Sequence, residues 1–66
     1  MTKLKELRLM KGLRILDLAI SLEMHPSTIS QVELGRLSVP VRAKEVFAKY
    51  YGVDSNMLFN GNRIAI

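Results

Sequence analysis

The chain has 66 residues, ten Lys plus Arg against six Asp plus Glu, and no cysteine. That length bounds it to one small domain and excludes most enzymes, while the missing thiols exclude disulfides and thiolate metal sites. At 48% hydrophobic and 24% charged residues it has the balance of a folding chain, and a core this small calls for economical helices, completed where needed by a partner subunit.

Turn-forming residues divide the sequence into five predicted helices. In the first, Lys3 to Met10, Leu4 and Leu7 share a face, and Gly12 follows where a helix stop is expected. In the second, Ile15, Leu18, Ala19 and Leu22 recur at the i, i+3, i+4, i+7 spacing of an apolar stripe. Pro26 suits the first position of a third helix with His25 as its N-cap, and Ile29 and Val32 give it an inward face up to Gly35. A fourth runs from Val41 to Tyr51 with Val46, Phe47 and Tyr50 on one side, and Gly52 closes it. A short fifth helix is expected from Asp54, returning Met57 and Leu58 to the core. Met10, Met24 and Met57 fall at core spacing and read as packing rather than ligands. No alternation long enough for a sheet is present.

Charge is unevenly distributed. Residues 1–16 carry five positive charges and one negative, 17–33 carry none and three, and 34–66 carry five and two. An acidic middle between two basic flanks suits a polyanionic partner. Charges interrupt every apolar stretch, so neither a membrane span nor a secretion signal is expected, and a cytoplasmic location is the default. With one histidine, placed at a helix cap, and no pocketed pair of carboxylates, the sequence offers no catalytic residues, no metal site and no cofactor site.

Residues 15–34 are the informative part. Two short helices joined by a tight turn pack only if the crossing residue is small and the inner faces match; Ala19 is small, and Leu18, Leu22, Met24, Ile29 and Val32 close the angle, the pattern of a helix-turn-helix. Here the chain resembles the phage repressor and Cro type of helix-turn-helix, the XRE family. The matching landmarks are Leu4, Leu7 and Arg8; Gly12-Leu13; Leu18-Ala19 with Leu22; Ser27-Thr28-Ile29-Ser30; Glu33-Leu34-Gly35-Arg36; Pro40; Ala48; Tyr51-Gly52-Val53; and Leu58-Phe59. The implied fold is all-α, a five-helix lambda-repressor-like domain over residues 1–60 with a tail over 61–66. The implied function is sequence-specific binding of double-stranded DNA by a transcriptional regulator, a repressor acting as a homodimer on half-sites about one helical turn apart.

On a wheel of about 100° per residue, Ser27, Ser30, Gln31 and Leu34 lie opposite Ile29 and Val32. The resemblance sets this helix in the major groove, with Pro26, Ser27, Ser30 and Gln31 at or beside the base-reading positions. The Gln31 amide can offer a donor and an acceptor together to adenine. Arg14, Arg36, Arg42 and Lys44 flank the motif as phosphate contacts, and the N–H groups opening helix 2 can hold a phosphate as well. Arg8 and Glu33 lie on facing inner flanks and are expected to pair structurally, as the family often does at these places. Phe59, Ile64 and Ile66 are the expected dimer contact, because Ile64 and Ile66 have no evident place in a filled core.

Several positions depart from the family pattern. Arg14 and Ile15 stand where helix 2 commonly opens with a Ser or Thr cap and a DNA-contacting glutamine, and Glu23 takes the place of the usual turn glycine. Leu16 and Ile20 form an outward apolar pair, and residues 15–35 contain no Lys or Arg. These departures sustain an alternative function, a scaffold whose helix 2 surface at Leu16 and Ile20 binds a protein such as an antirepressor, a toxin or RNA polymerase.

Overall fold

The computed structural model describes every residue from Met1 to Ile66. Helices α1 (Lys3–Met10), α2 (Ile15–Leu22), α3 (Pro26–Glu33) and α4 (Val41–Tyr51) are followed by a single 3-10 turn, Ser55–Met57. The expected fifth helix is thus corrected to one turn. Asp54 does cap it, accepting from the Asn56 N–H at 2.8 Å, but Leu58 and Phe59 must enter the core directly afterwards, and the chain leaves helical geometry to place them.

Three of the four helix starts are satisfied by a side chain. Thr2 caps α1 by accepting from Lys5 N–H, and His25 caps α3 by accepting from Ser27 N–H. Arg14 has no side chain able to accept, so α2 relies on Asp17, whose carboxylate reaches back to the Arg14 N–H at 2.7 Å. Pro40 precedes α4 in extended geometry without a side-chain cap.

One apolar cluster holds the elements together: Leu4 from α1, Leu18 and Ala19 from α2, Ile29 and Val32 from α3, Phe47, Ala48 and Tyr51 from α4, then Val39, Leu58, Phe59 and Ala65. The Phe47 and Phe59 rings meet tilted, with centroids 6.0 Å apart. The inward stripe of α4 is turned by about one residue from the expected Val46, Phe47, Tyr50. Ala48 lets α4 approach closely, which carries Tyr51 inward and leaves Val46 and Tyr50 at the surface, Tyr50 edge-on to Tyr51. Of the three methionines read as packing, only Met24 lies against the core; Met10 and Met57 are exposed, because each sits at the end of a short element with no neighbour above it.

The segment after Phe59 is part of the fold. The Asn60 side chain accepts from the N–H of Asn62 and of Ile64, reversing the chain so that Phe59 and Ala65 form an antiparallel bridge. Val39 N–H donates to the Arg63 carbonyl at 3.0 Å and the Arg63 guanidinium to the Val39 carbonyl at 2.7 Å, while Lys3 N–H reaches the Ile66 oxygen. Gly35 is where this segment meets α3: its φ is +73°, and a Cβ there would lie 3.2 Å from the Ala65 carbonyl oxygen.

Glu23 ends α2 in left-handed geometry, φ 54° and ψ 46°. A non-glycine residue in that region is strained by about 1–2 kcal/mol. Glu23→Gly therefore raises stability by about 1 kcal/mol, after allowance for the looser unfolded chain, as a shift of the urea midpoint at unchanged slope. A lower midpoint would mean that the carboxylate makes a compensating interaction.

Candidate nucleic-acid interface

The turn between α2 and α3 is closed by the Ala19 carbonyl, which accepts from the Met24 N–H at 3.1 Å. Ala19 itself is buried, so the helices come together over a methyl group, and Leu18, Ile29 and Val32 fill the angle with Leu22 and Met24 against its edge. This packing fixes which side of α3 faces out. Ser27, Gln31 and Leu34 are exposed, and Pro26 and Ser30 are half-buried on the same outward side. The strip thus offers hydroxyls and one amide, with no charge on the helix face itself.

The strip is held at both ends. At its start, the His25 imidazole Nδ1 lies 3.1 Å from the Ser27 backbone nitrogen and 2.7 Å from the Ser27 Oγ. At its end, the Glu33 carboxylate is buried at 3% exposure and grips Arg8, with Nε at 2.8 Å from Oε2 and 3.1 Å from Oε1. Arg8 also donates from Nη1 to the Leu13 carbonyl at 2.9 Å, and the Thr2 hydroxyl donates to the Glu33 carbonyl. One ion pair therefore ties α1, the α1–α2 turn and the end of α3 together. Beside it the Tyr51 hydroxyl is buried without a hydrogen-bond partner; burial pushes its ionisation up to about 12, and the Glu33 carboxylate and Tyr50 push the same way.

Of the cations expected at phosphates, Arg36 and Arg42 are exposed and Lys44 is half-buried. The chain's two ion pairs, Arg8–Glu33 and Arg14–Asp17, leave these three cations without a carboxylate. Arg42 borders a groove of about 570 Å³ between the α2–α3 turn and α4, across which Glu23, Met24 and Val46 also lie. Arg14 differs from the other three. Its guanidinium is engaged by Asp17, with Nη2 3.0 Å from Oδ1; this hydrogen bond holds the Asp17 carboxyl below its usual range and raises Arg14 further. A phosphate would have to displace Asp17 to use it.

A helix-turn-helix domain family model matches residues 2–58. The chain belongs to the helix-turn-helix domain family. Among curated proteins and solved structures, none matches the chain significantly. The family is one of DNA-binding regulators, typically without enzymatic activity.

In this helix-turn-helix domain, Leu16 and Ile20 project from α2 at 53% and 72% exposure. The three residues expected as a dimer contact separate. Phe59 is buried against Phe47 and has no surface to offer a second copy, Ile64 is half-buried near Gly35, and only Ile66 is exposed. The physical reason is the chain reversal at Asn60, which packs Phe59 and Ala65 into the domain's own core and lays Ile64 beside Gly35. No cluster of three His, Cys, Asp or Glu is present, and no helix is long and apolar enough to cross a membrane. The sequence reading identified His25 as a cap but missed its contact with the Ser27 hydroxyl; the signal was the His-Pro-Ser order, which sets an acceptor two residues before a serine at a helix start.

Proposed function

We propose that this domain is a sequence-specific double-stranded DNA-binding transcriptional regulator, a repressor that sets α3 in the major groove as a homodimer on a two-fold operator. The observation that carries this is the exposed polar strip of α3, with Ser27 and Gln31 outward while Ile29, Val32 and the Arg8–Glu33 pair fix the helix behind it. Pro26, Ser27, Ser30 and Gln31 read bases, with Gln31 paired to adenine through N7 and N6. Arg36, Arg42 and Lys44 bind phosphates, and Arg14 joins them by exchanging Asp17 for a phosphate. An operator occupied in this way blocks transcription by exclusion.

Binding through Z phosphates weakens with salt at a log–log slope near −0.9Z. Gln31→Ala relaxes the preference at one base position at a loss of about 1–3 kcal/mol on the preferred site. Arg42→Ala weakens all sequences alike and lowers the salt slope by about 1 per subunit. Selection from a random DNA pool, followed by titration of the chosen site against salt, measures all three. A flat salt response with no enriched sequence would contradict the proposal.

A second reading rests on Leu16 and Ile20, whose exposure on α2 is that of an apolar contact with Asp17 and Glu23 nearby. On this reading the scaffold binds an antirepressor, a toxin or RNA polymerase through α2. Leu16→Ser/Ile20→Ser would then abolish partner binding at any salt concentration and leave DNA binding intact.

A further inference from the structure

The hydrogen bonds at the start of α3 determine what kind of base edge Ser27 can read. A backbone N–H is a fixed donor, and the Ser27 N–H points at His25 Nδ1 over 3.1 Å. That nitrogen must therefore hold a lone pair, which places the imidazole hydrogen on Nε2. The Ser27 Oγ lies 2.7 Å from the same Nδ1. A ring nitrogen without hydrogen can only accept, so the hydroxyl must be the donor in this contact too. Ser27 has one hydroxyl hydrogen, and it is committed to His25.

A serine hydroxyl in a groove ordinarily pairs with either kind of base edge by rotating its hydrogen. Here rotation breaks a short bond, and what remains on the exposed Oγ is lone pairs. Resting on the DNA reading above, we propose that His25 is a positioning residue that fixes Ser27 as a pure hydrogen-bond acceptor. The base opposite Ser27 is then one that presents an amino group in the major groove, adenine through N6 or cytosine through N4. Guanine O6 and N7 and thymine O4 are acceptors and would face lone pairs with lone pairs.

The test compares the native chain with Ser27→Ala and His25→Gly in selection from a random DNA pool, with nitrogen-detected NMR of the His25 ring at mildly alkaline pH. Glycine is tolerated at a helix N-cap, so His25→Gly removes the acceptor and keeps the helix start. The position that Ser27→Ala flattens is the one Ser27 reads. At that base pair, replacing the adenine or cytosine by its analogue lacking the exocyclic amino group weakens the native chain by roughly two- to tenfold, the value of one neutral hydrogen bond. His25→Gly opens that position to all four bases and leaves the others unchanged. Undiminished binding of the native chain to the analogue lacking the amino group, an unaltered preference in His25→Gly, or no position flattened by Ser27→Ala would overturn the proposal. So would a His25 ring with its hydrogen on Nδ1, whatever the DNA result. Failure of the native chain to enrich any sequence would instead defeat the DNA reading itself, and this proposal with it.

Discussion

Glu33→Ala is expected to leave the chain predominantly unfolded at room temperature. Glu33 and Arg8 are 3% and 8% exposed, and removing the carboxylate strands a guanidinium inside the core. Breaking one side of a buried pair is destabilising by about 3–5 kcal/mol. A single core in a chain of this size rarely supplies more than about 3–5 kcal/mol, so the loss is comparable to the whole stability. Circular dichroism would show the helical signal lost without denaturant. The second half of the test replaces both partners: Arg8→Leu/Glu33→Leu restores most of the stability, because two packed apolar side chains need no counter-charge. The restored variant loses the Arg8 bond to the Leu13 carbonyl, so its recovery is incomplete. A Glu33→Ala chain that melts like the native one would show that the pair contributes nothing, and the account of how α3 is held would have to change.

Deleting residues 61–66 is expected to lower stability by about 2–4 kcal/mol, a fall in Tm on the order of 10–25 °C for a domain of this size. The deletion takes away the acceptor of the buried Val39 N–H, the Arg63 bond to the Val39 carbonyl, the Ile66 acceptor of Lys3 N–H and the cover that Ala65 gives the core. An unsatisfied buried N–H alone is destabilising by about 1–3 kcal/mol, and the ordering entropy returned to six residues offsets part of the total. Thermal melting of the chain ending at Asn60 against the intact one measures this. Equal melting with a change only in sedimentation would restore the original expectation, that the tail serves association rather than folding.

In the tail, local spacing no longer determines the structure. Ile64 and Ile66 were without a partner on any helical wheel, and an apolar residue without a local partner reads as an interface. The reversal at Asn60 depends on side-chain bonds to Asn62 and Ile64 and on a left-handed Arg63, φ 60°, held by Val39 from 24 residues earlier. No periodicity encodes a contact of that separation. The same limit explains α4. Spacing defined an apolar stripe there, but its rotation by about one residue was set by how closely Ala48 approaches the rest of the core.

By itself, the sequence determined the four helices, the His25 cap, the glycines that follow α1 and α4, the crossing at Ala19, the turn at Glu23 and the outward order of Ser27, Gln31 and Leu34. All of these follow from interactions within about one helical turn, where residue type and spacing leave little choice. Only the tertiary structure decided that Phe59 and Ala65 belong to the core, and that the Thr2 hydroxyl and the final residues meet the end of α3. Such contacts join residues far apart in the chain or depend on side-chain rotamers. They are selected only when the whole core closes and every buried donor, acceptor and charge must find its partner at once.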